Sequence, residues 1–271
     1  MSERTSAESI RLNRFLAQVG VGSRRACDEV IAAGRVRVNG AVTRSPGVRV
    51  VPGVHDIALD GRPVGSPRRR LVLLLHKPTG VVSTASDPQG RPTVIDLCGK
   101  FARDRRLFPV GRLDINTTGA LLVTNDGLLC YRLTHPRFEV PRTYVARVRG
   151  TVTARDLERL RRMAESAPPG KRRRGPRRTP APSGGASGNQ GRVEVTKELG
   201  KVSVLRITLY EGRNRQVRKM CEAVGLRVVK LKRVSFGPVS IRKLPLGAVR
   251  PLEKKELERL EQAVSAGRED R

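Results

Sequence analysis

Apolar positions fall into three patterns along the chain. Near the start, "IRLNRFLAQVG" places Leu12, Phe15, Leu16 and Val19 on one helical face and stops at Gly20. Ser23 can cap a second helix, "RRACDEVIAAG", with Ala26, Val30 and Ile31 inward and Gly34 as terminator. The alternating run "RVRVNGAVT" follows, with an Asn39-Gly40 hairpin signal. "LDGRPVGSPRRR" then reads as a turn-rich, basic linker. "LVLLLHKPTGVVST" is a continuous apolar run, expected as a buried strand. "DPQGRPTVIDLCGK" is loop-like, and "ALLVT" is a strand closed by a turn at Asn125-Asp126-Gly127. In "RTYVARVRG", Tyr144, Ala146 and Val148 share one face and Arg147 and Arg149 the other. Thr153 and Asp156 form a capping-box-like start for "ARDLERLRRM".

After that helix comes "APPGKRRRGPRRTPAPSGGASGNQG", which has no periodicity and is expected to be a disordered basic insertion over about 166–191. "VSVLRITLYEG" alternates as a strand. "RNRQVRKMCEAVG" is an amphipathic helix with Val217, Met220, Cys221 and Val224 inward, ended by Gly225. "PLEKKELERLEQAV" is a last helix, expected at the periphery. Strands and helices mix without regular βαβ alternation, so the class is α+β. The expected division is a disordered start over 1–9, a small domain over 10–60, a linker over 61–70, a larger domain over 71–262 and a tail over 263–271.

Composition adds one strong constraint. The chain has 271 residues, 55 Lys and Arg against 25 Asp and Glu, and a formal net charge of +30. Self-repulsion on that scale asks for a polyanionic partner, and nucleic acid leads because Lys and Arg neutralise phosphates. No apolar run approaches the ~20 residues of a membrane span, and no N-terminal apolar segment looks like a signal peptide, so a cytoplasmic location is expected. Cys27, Cys98, Cys130 and Cys221 form no C-x-x-C pair and read as small buried apolar residues. The three histidines make no ligand pattern, and neither a Walker A nor a G-x-S-x-G motif occurs. In the small domain, Arg11, Arg14, Arg24, Arg25, Arg35 and Arg37 have few acids beside them, which favours a phosphate-binding face.

"GRLDINTTGALLVTNDG" raises a sharper question. Asp114, Asn116, Thr118 and Gly119 have the opening spacings of a calcium-binding EF-hand loop. The twelfth position, which must supply a bidentate carboxylate, is Asn125, and the fifth is the weak neutral ligand Thr118. Calcium is therefore set aside, leaving Asp114 as a turn residue or as a reacting carboxylate. On the late helix, Arg215 and Lys219 point away from the apolar stripe, Arg218 sits on its margin, and Asn214 precedes Arg218 by one turn. An Arg at a core margin wants a carboxylate, and Asp114 is a candidate partner; a structural acid such as Glu222, or solvent, is the alternative.

The stretch "RLNRFLAQVGVGSRRACDEVIAAGRVRVNGAVT" resembles the S4 RNA-binding domain. "HKPTGVVST", "PVGRLDINTTGALLVTNDG" and "LYEGRNRQVRKMCEAVG" with "VVKLKRVSFGPV" resemble, in order, the motifs of the pseudouridine synthases, in the branch that modifies ribosomal RNA and carries an N-terminal S4 domain. Within that branch the chain looks most like the type B synthases of large-subunit ribosomal RNA. The resemblance implies an S4-like domain followed by a mixed, largely antiparallel β-sheet catalytic domain with flanking helices. It implies Asp114 as the essential aspartate that starts cleavage of the uridine glycosidic bond. Tyr144 would stack on the target base, Arg218 would pair with the aspartate, and Arg112 would support the loop or the displaced RNA. Asn214, Arg215 and Lys219 would join the small domain's arginines in binding RNA. The implied partner is ribosomal RNA, met by a monomer with no cofactor, metal or membrane. A non-catalytic RNA-binding or ribosome-assembly factor, and a two-carboxylate glycosidase with Asp126 as its second acid, are the rivals.

Overall fold

The computed structural model describes residues 9–66, 69–103, 105–165 and 190–265. The start of the chain and nearly all of the expected basic insertion lie outside these residues. The contacts divide the chain into a unit of residues 1–71 with 103–106 and a unit of residues 72–102 with 107–271.

In the first unit, β1 (Ile10–Arg11) leads into α1 (Leu12–Val19), and α2 (Arg24–Ala32) follows. Gly20 ends α1 in the left-handed region at φ 99°, and Ser23 Oγ accepts from the Ala26 amide at 3.0 Å to cap α2. The strands are β2 (Val36–Val38), β3 (Ala41–Thr43), β4 (Arg49–Val50), β5 (Ile57–Leu59) and β6 (Arg62–Pro63). β3-β2-β5-β6 form an antiparallel sheet, and β1 pairs with β4. The Asn39-Gly40 hairpin is present, with both residues at positive φ. Leu12, Phe15, Leu16, Cys27, Ile31 and Val36 fill the core. Cys27 is the buried residue of the first turn of α2, where periodicity favours Ala26. The expected linker begins as a strand instead: Asp60 and Gly61, both at positive φ, make a second two-residue turn into β6.

The second unit runs β7 (Val72–Lys77), β8 (Phe108–Pro109), β9 (Thr118–Thr124), α3 (Gly127–Thr134), β10 (Arg142–Arg149), α4 (Ala154–Glu165), β11 (Arg192–Leu199), β12 (Val202–Leu209), α5 (Gln216–Glu222), β13 (Arg227–Phe236), β14 (Val239–Ser240), β15 (Val249–Pro251) and α6 (Lys254–Ser265). Its sheet has the order β11-β12-β10-β13-β9-β7-β15, with β14 on β13 and β8 on β9. All pairings are antiparallel except β9 with β13. That parallel contact, Thr118 opposite Lys232 and Gly119 opposite Arg233, joins two antiparallel halves.

Three expectations change here. Asn125-Asp126-Gly127 is not a free turn: Asp126 Oδ1 accepts from the Leu128 and Leu129 amides at 2.8 and 3.0 Å, capping α3, which the weakly periodic "GLLCYRLT" conceals. Asp96–Phe101, within the stretch read as loop, forms 3-10 turns. α6 is not peripheral, because Leu260 and Val264 are buried with Val72, Leu122, Phe138 and Val239. The capping box at Thr153 and Asp156 is formed as expected, with the Asp156 carboxylate accepting from the Thr153 hydroxyl at 2.7 Å.

Gly119 marks where the halves approach most closely. Its φ is 121°, and a Cβ there would lie 2.1 Å from the Arg233 carbonyl oxygen. Neither backbone can move without breaking the parallel register. Gly119→Ala is expected to destabilise the second unit by about 2 kcal/mol or more, seen as a lowered urea midpoint. An unchanged midpoint would mean that the two halves are not held at this distance.

Candidate active site

The segment before β9, Gly111 to Thr117, is a loop whose carbonyls from Leu113 to Thr117 are all taken. Lys77, at the end of β7 and fully buried, donates from Nζ to the carbonyl oxygens of Pro78 (2.8 Å), Thr117 (3.1 Å), Asp114 (3.3 Å) and Ile115 (3.4 Å). The Gly80 amide also donates to Ile115. Ser83 Oγ donates to the Leu113 carbonyl at 2.8 Å and accepts from the Leu113 amide at 3.1 Å. Arg218 Nη2 donates to the Asn116 carbonyl at 3.2 Å. The EF-hand-like spacing gathers no ligand side chains here: the backbone carbonyls of Asp114, Ile115 and Thr117 converge on an ammonium group instead. Among the described residues, no group of three or more His, Cys, Asp or Glu could hold a metal ion.

This grip aims the Asp114 segment at a cleft of about 340 Å³. The cleft brings together Asp114 and Arg112 from the loop, Tyr144 from β10, and Asn214 and Arg215 from the turn between β12 and α5. Arg218 and Lys219 do not line it. Arg218 stands behind the loop, half-buried, and its guanidinium reaches the Asn116 and Val228 carbonyls rather than the Asp114 carboxylate. The expected Arg218–Asp114 ion pair is therefore absent. The wheel position was right, but the loop turns its backbone, not its carboxylate, toward α5. Lys219 is exposed. α5 also starts later than the pattern suggests, at Gln216, so Asn214 and Arg215 precede its first turn.

The turn itself is stapled. Glu211 Oε1 accepts from Arg213 Nε at 2.9 Å and from Gln216 Nε2 at 2.6 Å, while Gln216 Oε1 accepts from the Arg213 amide at 3.1 Å. Arg142, on β10 two residues before Tyr144 and so on the same face, is 5 % exposed. It donates to the Leu133 carbonyl of α3 at 3.1 Å and to the Tyr210 carbonyl at 3.3 Å, fixing the turn from below. Burial lowers its pKa, while nearby Tyr144 raises it and Arg233 lowers it further. Lys77, Ser83, Glu211, Gln216 and Arg142 escaped the sequence reading. Lys77 alone left a trace, as a charge closing an apolar run, where a buried cation must be satisfied.

In the first unit, Arg11, Arg24 and Arg25 are exposed and Arg14 is half-buried. Arg35 is also exposed, and its Nε donates to Asp60 Oδ1 at 2.9 Å. Arg37 donates to the Gly40 carbonyl.

Comparison with known proteins places these features in context. Residues 71–223 match the family described as RNA pseudouridylate synthase, and residues 10–55 match the S4 domain. A protein of Bacillus subtilis named "Ribosomal large subunit pseudouridine synthase B" is 37 % identical over 95 % of this chain and 98 % of its own. An Aquifex aeolicus protein named "Uncharacterized RNA pseudouridine synthase" is 38 % identical over 94 % of this chain and 95 % of its own. A solved structure titled "Crystal structure of pseudouridylate synthase" superposes with a TM-score of 0.59 at 25 % identity, covering 93 % of this chain and 99 % of that one.

Burial pushes the Lys77 pKa down to about 8, with the Asp114 charge opposing. Its folded value thus lies below its unfolded one, so between pH 8 and the usual Lys range the unfolded chain binds more protons. Stability from this group must rise with pH across that window. The rise is at most about 3 kcal/mol, and Lys77→Met should abolish it. Urea midpoints measured from pH 7.5 to 10.5 check this; equal slopes in the two proteins would mean that Lys77 does not titrate on unfolding.

Proposed function

The chain belongs to the RNA pseudouridylate synthase family, and on that premise we propose that it isomerises a specific uridine of large-subunit ribosomal RNA to pseudouridine. The observation that carries this is the meeting of Asp114, Tyr144, Arg112 and Arg215 in one cleft within the segment that matches the family. The C1′–N1 bond of the uridine breaks with the Asp114 carboxylate as its initiating group. The freed base turns, a C1′–C5 bond forms, and the C5 proton is lost as N1 regains one. No atom is added overall, and the changes at C1′ and C5 cancel with no net oxidation or reduction, so the reaction asks for no redox cofactor.

Tyr144 offers the flipped base a flat face inside the cleft. Arg112, Asn214 and Arg215 meet the RNA backbone at the rim. Arg218 serves Asp114 as a positioning residue, through the Asn116 carbonyl. The S4 domain supplies affinity, through Arg11, Arg14, Arg24 and Arg25, with Lys219 as a further contact. We take the enzyme to act as a monomer. Among the described residues no helix is long and apolar enough to cross a membrane, and work on ribosomal RNA fits the cytoplasm.

Asp114→Asn is expected to abolish tritium release from C5-tritiated uridine in a large-subunit RNA transcript, while RNA affinity stays within about threefold because basic residues supply it. Wild-type release by this variant would remove Asp114 from the reaction. Arg218→Ala should lower the single-turnover rate at saturating enzyme by at least tenfold, with partial rescue by Arg218→Lys. Arg215→Ala should weaken binding instead. A wild-type saturated rate for Arg218→Ala would show that the loop holds without it.

A further inference from the structure

The face of the second unit's sheet opposite Tyr144 has an unusual charge pattern. On β10 the side chains of Ala146 and Val148 are buried, while Arg147 and Arg149 are exposed on the other side. Their cross-strand partners are also basic: Lys230 of β13 lies directly opposite Arg147, and Arg227 opposite Arg149. One row further on, Val145 is flanked by Lys232 on β13 and by Arg206 on β12. All six basic side chains are exposed. Glu194, opposite Arg206, is the acid of that row. Among the described residues, none of the six forms an ion pair. Like charges directly opposite on neighbouring strands destabilise a sheet, and here two such pairs stand in adjacent rows about 7 Å apart. Repulsion of this kind is relieved by a polyanion laid across the strands.

We propose that this open face of β12, β10 and β13 is a second RNA-binding surface, which takes the phosphodiester backbone of the substrate RNA away from the reacting uridine. The proposal rests on the reading of the chain as an RNA-modifying enzyme. The core-side face of the same strands carries Tyr144, Leu209 and Leu231, which line the cleft. An RNA that touches both faces must therefore be large and folded, with one segment in the cleft and another behind the sheet. A short oligonucleotide fills the cleft alone. The surface has no base-reading pattern of amides or stacked aromatics, so it adds affinity without sequence preference.

The test is a quadruple variant, Arg147→Gln, Arg149→Gln, Arg227→Gln and Lys230→Gln. Relief of like-charge repulsion should leave its thermal midpoint equal to or above that of the wild type. On a folded large-subunit RNA transcript, affinity is expected to fall about tenfold or more at moderate salt. The slope of log affinity against log salt should become shallower by roughly 3, as expected for four lost phosphate contacts. The loss in kcat/KM should equal the loss in affinity. On a short single-stranded uridine oligonucleotide, variant and wild type should bind alike. Equal affinity and slope on the transcript would overturn the proposal, as would equal losses on both RNAs. Weaker binding to phosphatidylserine vesicles with unchanged binding to the transcript would overturn it in favour of a membrane surface. Absence of tritium release from the wild type would strike the enzymatic reading alone, since filter binding to the transcript still decides whether this face holds RNA.

Discussion

A buried ammonium group holds the second unit's working part together. Lys77 has no carboxylate at hydrogen-bonding distance; its charge is met by four backbone carbonyls, three of them in the Asp114 segment. Carbonyl dipoles can satisfy a buried cation only if they converge, and here a tightly curved loop supplies the convergent set. The loop shape and the buried lysine therefore require each other. Ser83 and Arg218 take the Leu113 and Asn116 carbonyls and Gly80 shares that of Ile115, so the backbone around Asp114 has few alternative conformations. In the proposed reaction the Asp114 carboxylate rides on a backbone that need not reorganise when a substrate arrives, which is how preorganised groups contribute to rate.

The second constraint is the seam between the antiparallel halves. Thr118 follows the loop and begins the strand that runs parallel to β13, so the direction of pairing changes one step after the gripped carbonyls. Gly119 allows the close approach, and Arg233 closes the seam by donating from Nε to the Ala120 carbonyl at 2.7 Å. The cleft opens beside this seam because strand ends, the turn after β12 and the loop before β9 converge there. Arg142 and Arg233 both lie over the ring of Phe236, at 5.2 and 4.9 Å from its centroid. Two cations thus pack on one aromatic face beside the seam.

What the sequence revealed depended on the range of each interaction. Elements set by local chemistry were readable: the α1–α2 pair from its periodicity and caps, the Asn39-Gly40 turn, and the alternation that put Tyr144 and Arg147 on opposite faces. Asp114 stood out because it lies in a long ordered motif, and strand alternation gave Tyr144 its face; both line the same cleft. Contacts made through the backbone were not. A carbonyl has no letter in the sequence, so neither the Lys77 grip nor the Arg218–Asn116 bond leaves a pattern, and pairing Arg218 with the nearest suitable carboxylate gave the wrong partner. α3 was hidden because its cap, Asn125-Asp126-Gly127, has the composition of a turn. The last helix was misplaced because charges cover most of its surface, although Leu260 and Val264 reach the core.

The seam also sets a schedule for the newly made chain. Ala120 and Arg233 are 113 residues apart in sequence, and contacts of such range form only after the intervening chain has been synthesised and its ends brought together. The first unit's pairings span less, 15 residues from Asn13 to Asp28 and 40 from Ile10 to Val50, so its helices and strands can form while the rest is still emerging from the ribosome. Under the proposed function, the S4 domain that would hold RNA thus forms on the nascent protein before the cleft does, beside the RNA of the ribosome that makes it.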